Sequence, residues 1–165
     1  MNTNKILFRI ATRIGAFLAV LLPVLALDTP AFAAPNDGIV RVKSAYGVEE
    51  TVERLKKDIE AKGIVFFATI DQAKLGEGAG IKLKPSTLLV FGNPPLGIQF
   101  LTANPNAGLD WPVRLLVTQD DAGQVWAVYT DFAWIANRHA ITDREAQFKM
   151  ASEVIASITS SVTKK

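Results

Sequence analysis

The alternation of apolar and polar positions divides the chain into distinct elements. Ile39 to Lys43, "IVRVK", alternates with period two, as a half-buried strand does. From Val48 the period changes: Val48, Val52, Leu55 and Ile59 fall on one stripe of a helix. Glu49 and Glu50 in its first turn, Lys62 in its last and Gly63 just beyond suit the two ends of that helix. Glu50–Arg54, Glu53–Lys57 and Asp58–Lys62 are spaced for i,i+4 pairing. Ile64 to Ile70, "IVFFATI", is β-branched and aromatic and reads as a strand that stops at Asp71-Gln72. A short helical turn from Ala73 to Leu75 then precedes "GEGAG".

Thr87 to Phe91 is apolar on both faces, which predicts an interior strand. It ends abruptly in "GNPP", where glycine allows a tight backbone and proline forbids further pairing. A turn-rich stretch follows, with a short helix expected around Ile98 to Thr102. Val113 to Thr118 and Gln124 to Thr130 form a hairpin about "QDDAG". In the second of these strands Trp126 and Val128 face one side, and Val125, Ala127 and Tyr129 the other, so part of an aromatic patch is expected away from the helices. A last helix is expected to open at Thr142 with a capping box to Glu145 and a staple between Ile141 and Ala146. Ala151, Ile155, Ile158 and Val162 line its apolar face.

The order β-α-β-β-β-β-α predicts an α+β fold: a two-layer sandwich with a mainly antiparallel sheet and its helices on one face. A single domain spans residues 39–162, preceded by a short leader at 34–38.

The first 33 residues have a different character. Lys5, Arg9 and Arg13 precede the uncharged run Ile14 to Leu27, and Ala31-Phe32-Ala33 supplies the small residues read by a signal peptidase. That run is 14 residues long and contains Pro23, short of the roughly 20 apolar residues that span a bilayer. A cleaved signal peptide, and hence a periplasmic or secreted protein without a stable membrane anchor, is the expectation.

Cleavage changes the charge. The chain carries 18 Lys and Arg against 16 Asp and Glu, and the first 33 residues hold three of the former and one of the latter. Fifteen of each remain, so the domain is neutral and no preference for nucleic acid is expected. The absence of cysteine removes disulfides, thiolate metal sites and thiol nucleophiles.

Few residues are left to carry chemistry. "GEGAG" lacks the spacing of a phosphate loop, and Asp120-Asp121 suit a hairpin tip. His139 is the only histidine and has no second imidazole to share a metal with. Asp71 and Asp110 adjoin apolar strands, where a carboxylate must find partners; Arg114 is one candidate partner for Asp110. Trp111, Trp126 and Trp134 serve packing first.

"FATIDQA", "TLLVFGNPPLG", "LDWPVRLLV", "GQVWAVYTD" and "ANRHAI", in this order, resemble the bacterial family catalogued as domain of unknown function 302, over about residues 39–160. The resemblance implies the same α+β order, without an agreed activity. Many members of that family have His where this chain has Gln72, which counts against a metal- or haem-based mechanism here. The leading expectation is a non-enzymatic exported domain that binds a small ligand or an envelope protein, as a homodimer, with no cofactor and no metal. Its expected ligand-binding residues are Asp71, Gln72, Asn93, Asp110, Arg114, Arg138 and His139. The alternatives are an envelope enzyme with His139 as general base and a metal or haem carrier.

Overall fold

The computed structural model describes residues 37–164; the expected signal peptide lies outside the described residues. The element order is β1 (Ile39–Lys43), α1 (Val48–Ala61), β2 (Val65–Asp71), α2 (Gln72–Gly78), β3 (Ser86–Gly92), α3 (Pro94–Ala103), a 3-10 turn (Pro105–Leu109), β4 (Val113–Gln119), β5 (Val125–Thr130), α4 (Phe132–Arg138) and α5 (Glu145–Ser160). The strands form one five-stranded sheet in the order β1-β5-β4-β3-β2, antiparallel at every pairing. This is the α+β fold that the apolar pattern predicts.

Alternation along the strands gives the sheet two unlike faces. Leu89, Leu115, Val117 and Ala127 point to one face and are fully buried under α1 and α5, whose Leu55, Ile59, Ile155 and Ile158 complete the core. Their neighbours Leu88, Leu116 and Val128 point the other way and keep part of their surface in water. Trp126 lies on that outer face, as the strand pattern requires, and its indole N–H donates to Asp120 Oδ2 at 2.8 Å. That bond and the Gln124 amide hold the Asp120 carboxyl below its ordinary range.

The start of α1 is fixed by a small buried polar junction. Ser44 Oγ and Thr51 Oγ1 share a hydrogen bond of 2.7 Å, and the Ala45 amide donates to Val162 O, which ties β1 to the end of α5. Two of the expected surface pairs form: Arg54 reaches Glu50 at 2.9 Å, and Lys62 reaches Asp58 at 2.7 Å. Gly63 adopts φ +65°, a conformation glycine enters without steric cost, and stops the helix.

Two local expectations need correction. The last helix begins at Glu145 rather than Thr142, and its cap position, Arg144, makes no side-chain cap bond. The expected capping box is displaced because α4 occupies the preceding segment. Asp131 caps α4 through Oδ1 to the Ala133 and Trp134 amides, and α4 then ends in a turn where Ala140 takes φ +50° and Ile141 N returns to Ala136 O. Residues 140–144 are spent on that reversal. The second correction is α4 itself, a helix the sequence pattern does not announce.

Leu55 is wholly buried between α1 and the sheet. Leu55→Ala is expected to lower unfolding free energy by about 2–5 kcal/mol, read from urea denaturation followed by circular dichroism.

Candidate functional site

The expected site residues divide into a cluster and three dispersed positions. The cluster forms where the 3-10 turn meets β4. Asp110 ends that turn, its amide bonded to Ala107 O, and its side chain is only 3% exposed. A buried carboxylate needs compensating partners, and three converge on it. Arg114, four residues on along β4, places Nη2 3.1 Å from Oδ1 and also donates to Leu109 O at 2.6 Å. Arg138, at the end of α4, brings Nη1 within 3.2 Å of both oxygens. His139 caps α4 and sets Nε2 2.6 Å from Oδ2.

Three of the seven predicted residues therefore share the carboxylate of a fourth. The two arginines outweigh it, so the group is net positive even with His139 neutral. Both guanidinium side chains remain about half exposed, whereas His139 and Asp110 are closed off. Asn104 adds a brace: its Nδ2 donates to His139 O at 2.8 Å while its Oδ1 accepts from the Asn106 amide.

Asp71 and Gln72 lie toward the opposite end of the strands. Asp71 pairs with Thr87 in the sheet and caps α2 through the Lys74 amide at 2.9 Å. Gln72 Oε1 accepts from Ser86 Oγ at 2.7 Å, a structural link between α2 and β3. Among the described residues, no three His, Cys, Asp or Glu side chains gather as a metal site.

Asn93 belongs to neither group. It precedes Pro94 and Pro95, the first residues of α3, where the missing proline N–H costs no helical bond. Its carbonyl accepts from the Leu96 and Gly97 amides, and its side chain makes no cap bond. Beside it opens a mainly apolar cavity of about 130 Å³ between α3, α5 and one end of the sheet. Phe91, Leu96, Phe100, Trp111 and Ile155 form its walls, with Asn93 and Lys62 its polar margin. "GNPPLG" is thus both a corner and a wall.

Trp111 shapes that wall. Its indole lies against Gly92 and Gly97, where an added Cβ would stand 3.1 Å and 1.9 Å from the ring nitrogen. Phe67, displaced outward near a bulge in β2, meets the same indole edge-on at 6.3 Å. Trp111 joins Pro112 through a cis peptide bond. Sequence reasoning placed Trp111 among packing residues and passed over Gly97. The spacing of Gly92 and Gly97 across the Pro-Pro turn is the one available signal, but it becomes meaningful only with the ring in place.

The fold and site describe a small α+β domain with a braced carboxylate beside an apolar cavity. The chain belongs to the family described as Domain of unknown function DUF302, whose model matches residues 40–161. Fluoride-specific ion channel FluC 1 of Brucella suis and its namesake of Brucella abortus are each 36% identical to it over 106 residues. That match is 64% of this chain and 42% and 39% of theirs respectively. The matched region is thus under half the length of these relatives. A crystal structure of an uncharacterized conserved protein of the same family from Bacillus stearothermophilus shares the fold with a TM-score of 0.69 at 17% identity. It covers 76% of this chain and 98% of that one.

Removing the charge of Asp110 leaves both arginines without their shared anion. Asp110→Asn is expected to cost about 3 kcal/mol, allowing for the half-exposed arginines, and chemical denaturation at neutral pH checks it.

Proposed function

We propose that this chain is an exported, non-catalytic binding domain whose ligand is a small, largely apolar molecule lodged between α3 and α5. The cavity beside Trp111 carries this reading. At about 130 Å³ it is close to the roughly 150 Å³ of an apolar cavity that takes benzene. Its lining is mainly hydrophobic, with Asn93 and Lys62 at the margin to orient a polar end. Asn93 is the one residue of the predicted ligand set that reaches it directly. The Asp110 cluster acts one residue away, fixing the backbone from which Trp111 projects.

The same geometry argues against His139 as a general base. Its Nε2 is bound to Asp110, its side chain is 5% exposed, and it does not line the cavity. A general base must reach the proton that it removes. Export rests on the charged, apolar and small-residue order of the first 33 residues.

The test is an amide and indole NMR titration with benzene as probe. The Trp111 indole N–H and the Gly97 amide are expected to shift together and saturate. A variant with Ala151→Leu, which intrudes on the cavity from α5, is expected to lose the response while remaining folded. Saturable shifts that persist in this variant, or none in the parent, would remove the cavity from the proposal.

A second reading comes from the relatives named as fluoride channels. In this reading the domain is an anion-handling companion of such a channel, with Arg114 and Arg138 presenting their unused N–H groups to the ion. It is favoured by the two guanidiniums on one carboxylate and by the 36% identity. No helix among the described residues is long and apolar enough to cross a membrane. Fluoride added to the protein is then expected to show ¹⁹F line broadening that is lost in Arg138→Gln; unchanged linewidths in the parent protein would discard this reading.

A further inference from the structure

The apolar centre of the sheet's outer face has no role in either reading. Pairing sets Ile70, Leu88, Leu116 and Val128 side by side across β2, β3, β4 and β5, an apolar row running over the middle of that face. Beyond the edge of the row Ile39 is 42% exposed, and Phe67 is 47% exposed on the opposite edge strand. The helices that fill the core, α1 and α5, lie on the other side. An antiparallel sheet facing water ordinarily shows polar residues on its solvent side, and here an unbroken apolar row crosses four strands of it instead.

Charge on the face is confined to its margins. Arg41 and Lys43 stand on the edge strand β1, and Arg114 stands near the start of β4. Arg41 is already paired with Asp37, and Arg114 with Asp110. An uncharged centre inside a polar rim is the anatomy of a protein interface rather than of a free surface.

We propose that this face is the interface of a homodimer in which two sheets pack face to face about a two-fold axis. The occupant follows from shape and area. The face is broad rather than grooved, and an isologous contact asks only that one patch complement itself. Five strands about 4.8 Å apart and five to seven residues long cover about 400–500 Å² in projection. With side-chain relief, two copies would bury on the order of 1,000–1,400 Å² in all, enough for a specific interface of modest affinity. Sheets packed in this way stand about 10 Å apart with interdigitated side chains. The Leu116 and Val128 rows can provide that packing. The near-balance of acidic and basic residues beyond residue 33 puts no large repulsion between copies.

Sedimentation velocity over a concentration series tests this proposal. The parent protein is expected to sediment as a dimer at tens of micromolar. Leu116→Lys, at the centre of the row, is expected to weaken association by about 100-fold with an unchanged circular dichroism spectrum. Ile70→Lys, on the edge strand where lysine is well tolerated, gives the same readout if the first variant fails to fold. A parent protein that stays monomeric throughout overturns the proposal, as does a dimer that survives a folded lysine variant. Binding of benzene does not bear on either outcome, because the cavity lies on the helical side.

Discussion

A carboxylate taken out of water must be answered by positive charge and hydrogen bonds, and the end of this domain is organised around one such answer. Asp110 sits where the 3-10 turn passes into β4, and its partners come from β4 and from the end of α4. Two neighbouring segments and a third, 28 residues further on, are held by a single side chain. The Asn104–His139 bond strengthens the same junction from the other side.

The cavity follows from that fixed point. Trp111 is the next residue, and its indole can rest over the end of β3 only because positions 92 and 97 lack side chains. A large ring set against two glycines cannot interlock as two side chains would, and α3, starting at Pro94, turns the chain out of the strand. Phe100 stacks on Phe148 of α5 at 4.1 Å and closes the far side. The space that remains is a consequence of where a rigid ring and a proline-started helix can go.

Much of this was legible in the sequence, and the limits are physical. Period-two and helical stripes gave the strands and both long helices because burial on one face leaves a repeating mark. Of the partners of Asp110, Arg114 was legible, since a carboxylate beside an apolar strand needs a cation nearby, whereas Arg138 and His139, 28 and 29 residues on, were legible only as candidate site residues. Asp71 and Gln72 matched the same criterion but solve a local problem, capping α2 and bonding Ser86. Composition cannot separate a capping carboxylate from a convergent one. The helix Phe132–Arg138 was missed because seven residues give too little periodicity, although Asp131 before two apolar positions three apart was a usable sign. The cavity was illegible because absence of atoms leaves no residue type behind.

The two faces of the sheet divide the work. The inner face carries the core, and without disulfides the core must supply the stability of the domain. It cannot also yield surface for recognition. Packing is left incomplete at two places: the end of the sheet, where Trp111 and α3 leave space, and the outer face, where Leu88, Leu116 and Val128 stay partly wet. The two places meet at one side chain. Arg114 stands on the outer face of β4 and grips Asp110, while Trp111 projects from the residue after Asp110 toward the cavity. One carboxylate thus joins a side chain of the outer face to the turn that carries the wall of the cavity.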